Sequence, residues 1–416
     1  MRWIIALAGT AMQLALGAVY AWSVFRKPLA EQLGASVTEI NLAFTATIVM
    51  LGVGAFVGGL VLPKLGPRTV GIAAGVLYGA GTYFAGFAEG DLRMLYLTYG
   101  VIAGFGIGLG YIVPIATLVK WFPKHRGLIT GIAVAGFGCG ALAFGPLTRE
   151  LIASFGPFQT FKILGLVFYT VVVAAAVVLR DPPDAVPGAA SAVRANRHDR
   201  TLGGALRTWQ WYALWTLLFL NVTAGIALIA EAAPMAQELG GATEVQAAAL
   251  VGTIAVFNGA GRFVWSALSD ALGRRAVFTM LFVIQAIVFV ALTRAPSYEV
   301  FLALCCIALL CYGGGFGTMP AFVTDYFGAQ HVGKIYGLML TAWGAGAVLG
   351  PMLVSGLRDA TGHYIIGLQA IAAIMLVSSI APLVLRPPAV AMRVSAATRP
   401  LDGRISRPSP AAGRAA

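Results

Sequence analysis

Pro28-Leu29-Ala30-Glu31-Gln32-Leu33-Gly34 returns 206 residues later as Pro234-Met235-Ala236-Gln237-Glu238-Leu239-Gly240. The correspondence runs on along the chain at nearly the same offset. Pro63-Lys64-Leu65-Gly66-Pro67-Arg68 is answered by Ser269-Asp270-Ala271-Leu272-Gly273-Arg274-Arg275. Gly127 and Gly131 are answered by Gly333 and Gly337, and Gly145-Pro146 by Gly350-Pro351. The 416-residue chain therefore reads as two copies of one unit.

Composition says what that unit is. Of the residues, 59% are hydrophobic and only 11% are charged, where a soluble protein carries roughly 25% charge. So little charge cannot cover a soluble fold of this size. A soluble enzyme, a disordered protein and a secreted disulfide scaffold are excluded, which leaves a polytopic helical membrane protein. A crossing helix needs about 20 mostly apolar residues. Twelve stretches qualify: 4–25, 40–62, 69–88, 94–119, 127–148, 158–179, 209–232, 246–268, 276–293, 298–319, 334–356 and 364–385. No small-residue cleavage site follows the first of them, so it is expected to stay in place as a helix. Six spans in each copy predict an N-terminal bundle over 1–180 and a C-terminal bundle over 208–386. A linker over 181–207 joins them, and the Pro-, Ala- and Arg-rich segment 387–416 is expected to be a disordered cytoplasmic tail.

Charge sets the expected orientation. With both termini in the cytoplasm, 20 of the 28 Lys and Arg residues fall in cytoplasmic segments, seven fall outside, and Arg262 lies within a span. This asymmetry follows the positive-inside rule. The net charge of +12 is thereby read as orientation and contact with anionic lipid, with no nucleic-acid partner. The four cysteines lie in apolar stretches without metal-ligand spacing and read as packing residues. No metal, cofactor or catalytic residue is expected: no span carries a nucleophile–base pair or a ligand cluster.

Two six-span repeats around a central cavity, with a site near the midplane, describe a transporter that alternates access. At this point the chain resembles the major facilitator superfamily over nearly its whole length. Trp265-Ser266-Ala267-Leu268-Ser269-Asp270-Ala271-Leu272-Gly273-Arg274-Arg275 is similar to that family's signature loop. The N-terminal copy is degraded, with Pro63 and Lys64 where an aspartate is expected. Asp270, Arg274, Arg275, Lys64 and Arg68 are accordingly expected to form gating and structural loops, with Asp270 pairing to Arg274 or Arg275 and capping a neighbouring helix. Finer resemblance appears in Gly17-Ala18-Val19-Tyr20-Ala21-Trp22-Ser23-Val24-Phe25. It appears again in Thr324-Asp325-Tyr326-Phe327-Gly328 with Tyr336-Gly337-Leu338-Met339-Leu340-Thr341-Ala342-Trp343-Gly344. Both resemble the oxalate/formate antiporter family. The stretch from Trp121 to Gly136 is similar to the fifth-span signature of monocarboxylate transporters.

Arg262, mid-way along the eighth span, is the one charge within the membrane. Such a cation costs roughly 2.5–3.5 kcal/mol on insertion scales. No Asp or Glu is predicted at its depth, and Glu231 comes nearest. A small carboxylate in a central cavity would supply the missing anion, since a guanidinium fork matches it with two parallel hydrogen bonds; the alternative is an arginine satisfied by helix-end carbonyls and water. In both related families an arginine of the eighth span binds the substrate carboxylate, and Arg262 falls at that position. The antiporter resemblance also predicts a lysine in the eleventh span, but this chain has Thr341-Ala342-Trp343-Gly344. One cation in place of two suits a monoanion, because an unpaired carboxylate is expensive to desolvate. Many monocarboxylate transporters place an aspartate four residues before the arginine; here that position is Asn258, which carries no proton.

Asn258, one helical turn from Arg262, and the aromatic residues Tyr20, Tyr111, Tyr312, Tyr336 and Trp343 complete the expected substrate site, each aromatic offering an apolar wall with a polar tip. The run Gly104-Phe105-Gly106-Ile107-Gly108-Leu109-Gly110 invites a nucleotide-loop reading, but no strand precedes it; such glycines let helices approach closely. Lys120, Lys124, His125 and Arg126 read as lipid anchors or locks between bundles. The expected function is secondary active transport of small monocarboxylates of the lactate or pyruvate type across the bacterial inner membrane, by a monomer coupled to protons. An oxalate/formate-type exchanger is the alternative within the class. An organic-acid sensor is the alternative outside it, although the linker and tail are short for a signalling domain.

Overall fold

The computed structural model describes residues 1–183 and 199–388. The expected tail lies outside the described residues from 389 on, as does most of the linker. Among the described residues, ten helices are long and apolar enough to cross a membrane: Arg2–Leu33, Glu39–Ala85, Leu92–Trp121, Arg126–Val178, Trp209–Gly240, Glu244–Leu272, Arg274–Leu292, Tyr298–Phe327, Val332–Thr361 and Ile365–Val384. Two of them are too long for one crossing. The 47 residues of Glu39–Ala85 would extend about 70 Å as a single helix, more than twice the hydrocarbon thickness of about 30 Å. Each breaks once, at Gly66 (φ 75°, ψ 164°) and at Gly156 (φ 75°, ψ 167°). Glycine alone takes that backbone without strain, and the proline that follows each break gives up no N–H that a new helix needs. Counting both arms of each gives twelve spans in two halves of six, as the repeat implies.

The repeated heptapeptides are helix ends. Gly34 (φ 59°), the last residue of the first heptapeptide, and Gly241 (φ 64°), the residue just after the second, terminate the first and seventh spans in left-handed conformation, their N–H groups bonded to Ala30 O and Ala236 O. Capping boxes then start the second and eighth spans. Ser36 Oγ accepts from Glu39 N and Glu39 accepts in return; Thr243 and Gln246 do the same. The S-x-x-E and T-x-x-Q spacing satisfies two orphan amides at each start.

Small residues set the packing between spans. A Cβ on Gly108 would stand 2.1 Å from Leu51 O, and one on Gly54 would stand 2.3 Å from Phe105 O, so the glycine run of the fourth span exists to admit the second. The same device joins the halves. Gly131 packs on Ser266 and Arg262 O, Gly59 on Gly333 O, and Gly337 on Ala55 O. These approaches lie at mid-depth or toward the face that carries the termini. Every described hydrogen bond crossing between halves lies there too, from Arg126–Asp325 and the Asp270 pair to Thr130–Gly317 and Arg262–Val134. Among the described residues, the halves are thus joined at the terminal face and at mid-depth. The first span bends where it lines the cleft: Gly17–Ala21 is a 3₁₀ turn. It presses on the fifth span so closely that a Cβ on Gly17 would overlap Phe137 O at 1.9 Å.

Candidate functional site: a buried guanidinium in an aromatic box

The eighth span is held between the fifth and the tenth. A Cβ on Gly261 would lie 1.9 Å from Leu310 O, and Gly259 faces Gly138 and Cys139. Arg262 projects from this pinch into mid-membrane and is fully buried. One of its donors reaches Val134 O at 3.2 Å; Nε and Nη2 have no hydrogen-bond partner. No carboxylate stands within ion-pair distance of it among the described residues. Its guanidinium carbon lies 5.7 Å from the Phe137 ring and 5.1 Å from the Phe316 ring. Such contacts repay about 0.5–2 kcal/mol, short of the cost of burying the charge.

Around it the expected aromatics converge from both halves. Tyr20 and Tyr111 meet Phe137 edge-on at 5.3 and 5.1 Å, and both lie within 6.4 Å of Trp343. Trp343 meets Phe316 at 4.9 Å, and Tyr312 meets Phe316 at 5.4 Å. Tyr20, Tyr111, Tyr312 and Tyr336 all lie within electrostatic reach of the guanidinium. Their hydroxyls, and the Trp343 indole N–H, are buried without a hydrogen bond of normal geometry. Asn258 is buried with its Oδ1 unpaired and its main chain against Gly313. A cation and six polar tips thus face one another inside apolar walls, which suits a small anion with an apolar body.

A clamp closes the terminal face. Asp270 accepts from Gly127 N at 3.0 Å and Leu128 N at 2.8 Å, the first amides of the fifth span in the other half, and pairs with Arg274 at 2.6 Å. Arg274 also bonds Asp325 at 3.0 Å, and Asp325 takes Arg126 across the seam at 3.3 Å. A carboxylate at a helix N-terminus is favoured by both the free amides and the dipole. The expected partner choice resolves to Arg274, because Arg275 donates to the carbonyls of Pro382 and Leu383. The mirrored loop carries no acid at residues 63 and 64. Lys64 and Arg68 are exposed and form no ion pair among the described residues. With Pro63 and Lys64 in place of an acid, nothing there can cap the eleventh span.

The sequence model of the Major Facilitator Superfamily matches residues 4–232 and, a second time, 214–412. The chain belongs to the Major Facilitator Superfamily. Among curated relatives, the oxalate:formate antiporter of Oxalobacter formigenes is 31% identical, covering 84% of this chain and 83% of its own. Monocarboxylate transporter 11 of Homo sapiens is 28% identical over 87% and 78%. The crystal structure of the facilitator FucP in the outward conformation shares the fold with a TM-score of 0.73 at 15% identity, covering 91% of this chain and 97% of that one.

Further buried groups of this facilitator border the box. Phe137, flanked by Gly136 and Gly138, and Phe316 both lie within cation–π distance of the guanidinium. Gln13 Nε2 holds Tyr111 O at 3.0 Å in one half, and Asn221 Nδ2 holds Tyr312 O at 3.0 Å in the other, itself held by Gln285 at 3.2 Å. Buried amides in apolar spans were the available signal. For the clamp, hydrogen bonds to a charged group contribute about 1.5–3 kcal/mol each. Asp270→Asn is therefore expected to raise the population open at the terminal face at least about tenfold. The check is maleimide labelling of Ser266→Cys, a buried seam position, which should be correspondingly faster in the Asp270→Asn background.

Proposed function

We propose that this facilitator carries small monocarboxylates of the lactate or pyruvate type across the bacterial plasma membrane, as a monomer with both termini in the cytoplasm. The observation that carries the proposal is Arg262: a wholly buried guanidinium with two nitrogens free of hydrogen bonds and, among the described residues, no acid beside it. A substrate carboxylate takes those donors as a bidentate pair. The hydroxyls of Tyr20, Tyr111, Tyr312 and Tyr336 turn toward its remaining lone pairs, Asn258 borders the site, and Trp343, Phe137 and Phe316 cover the short carbon chain. Trp343 stands where the antiporter resemblance places a lysine. It shares its ring neighbours with Arg262, so the box offers one positive charge and suits a monoanion. Because Asn258 holds no proton, symport is proposed to run by protonation of the substrate itself.

Transport then follows alternating access. Substrate enters the cleft at the face opposite the termini, and the Asp270–Arg274–Asp325–Arg126 clamp releases to open the terminal face. The 31% identical oxalate:formate antiporter favours one second reading, exchange of oxalate for formate. Thermal unfolding in detergent separates the two, because a ligand that binds only the folded state stabilises it by about 2.7 kcal/mol at a hundredfold excess over Kd. Lactate and pyruvate are expected to raise the melting temperature more than oxalate does at equal concentration. A larger shift with oxalate supports the exchanger.

A further inference from the structure

Tyr111 and Tyr312 stand on glycine-rich helix. Tyr111 follows Gly104, Gly106, Gly108 and Gly110, and Tyr312 precedes Gly313, Gly314, Gly315 and Gly317. Such glycines admit neighbouring spans, but they leave the backbone freer than other residues do. Pro114 and Pro320 lie inside the same two helices, and each removes one helix bond, to the carbonyls of Gly110 and Phe316. In both places a buried amide from another span takes hold. Gln13 Nε2, on the first span, donates to Tyr111 O at 3.0 Å, and Asn221 Nδ2, on the seventh, donates to Tyr312 O at 3.0 Å. Asn221 Oδ1 accepts in turn from Gln285 Nε2 at 3.2 Å, and Gln285 also donates to Leu281 O. Gln285 stands on the ninth span, which contributes no residue to the box. All three amides are fully buried, and Gln13 Oε1 and Gln285 Oε1 have no hydrogen-bond partner among the described residues. A buried acceptor left unpaired is costly, and an apolar side chain at either position would avoid that cost. The seventh span also seats the Tyr312 ring, since a Cβ on Gly225 would stand 2.1 Å from it.

We infer that Asn221 and Gln285 are positioning residues for substrate affinity: they pin the Tyr312 backbone so that its hydroxyl meets the carboxylate held by Arg262, and Gln13 does the same for Tyr111 in the other half. The inference rests on the transport reading above and deepens it, by adding affinity determinants that touch no substrate. The amide fixes where the tyrosine side chain starts, and the Gly225 seat fixes where its ring lies. A tyrosine on loose helix has to be ordered when substrate binds, and that ordering subtracts from affinity. A tyrosine already pinned avoids the loss. Gln285, Asn221 and Tyr312 form one hydrogen-bonded chain, so changes along it should not add. The Gln13 tie shares no residue with that chain and should act independently.

The test is lactate uptake by the full chain carrying Gln285→Met, Tyr312→Phe, the two together, and Gln13→Met alone and with Gln285→Met, each rate divided by transporter abundance. Methionine keeps the length and fills the space without the amide. Gln285→Met is expected to raise KM about fivefold, the weight of one ordinary buried hydrogen bond, with the maximal rate per transporter kept within about twofold. Tyr312→Phe should raise KM by a similar factor. The double variant should be no worse than the larger single effect, because a hydroxyl already out of place has little left to lose. Gln13→Met and Gln285→Met should instead multiply, to about twenty-five-fold. The same cycle is run with Asn221→Ala in place of Gln285→Met, so that poor insertion of one variant leaves the other to decide. Unchanged KM, or a fall confined to abundance or maximal rate, overturns the positioning role and leaves Arg262 in place. Multiplication of the Gln285→Met and Tyr312→Phe effects overturns it equally. Absence of saturable carboxylate uptake by the wild type overturns the transport reading, and the positioning role with it.

Discussion

Arg262→Ala is expected to lower carboxylate uptake by at least about thirtyfold, and Arg262→Lys nearly as far, in protein that still inserts and folds. Truncating one member of a buried, hydrogen-bonded charge pair costs 2–5 kcal/mol or more, which sets the lower bound. The lysine result is the sharper one. An ammonium keeps the charge but presents no planar fork, and it cannot both reach Val134 O and hold a carboxylate by two parallel bonds. Folding should survive, because Arg262 forms no ion pair among the described residues, and its removal relieves the cost of a buried charge. Normal uptake by either variant, at wild-type abundance in the membrane, removes Arg262 from the substrate site.

Trp343→Lys should move preference from monocarboxylates toward dicarboxylates. The indole touches Phe137 and Phe316, the two rings that flank the guanidinium. A lysine there puts a second cation into the same box. A dianion pairs both charges, whereas a monoanion leaves one buried and unpaired, which makes rejection of lactate as informative as any gain of oxalate. Trp343→Met controls for lost volume, since its side chain is apolar and adaptable. The ratio of oxalate to lactate uptake is expected to rise at least tenfold in Trp343→Lys relative to Trp343→Met. Equal ratios in the two variants separate charge at residue 343 from substrate choice.

Much of this arrangement is legible in the residues, for identifiable reasons. Hydropathy and the 206-residue repeat give twelve spans because a bilayer imposes length and polarity on every crossing. Arg262 stands out because a charge is rare at that depth. Phe137 and Phe316 do not, since a phenylalanine in an apolar span looks like any other core residue until a cation is placed beside it. Asp325 escapes notice because its cross-seam partner, Arg126, lies 199 residues away. At Lys64 and Arg68 the repeat preserves the loop and its glycine break, but without an acid at residue 63 or 64 the loop has nothing to offer the amides opposite. The bend at Gly17–Ala21, which aims Tyr20 into the box, comes from contact with the fifth span and has no local sequence cause beyond a small residue at Gly17.

Counterflow in proteoliposomes tests the central claim most directly. Vesicles loaded with unlabelled pyruvate and diluted into labelled lactate are expected to accumulate label transiently above equilibrium with the wild-type protein, and not with Arg262→Ala. Labelled oxalate should accumulate more weakly under the same conditions. Absence of counterflow for every carboxylate offered, from wild-type protein that is folded and inserted, would contradict the assignment of Arg262 and its aromatic box as a monocarboxylate site.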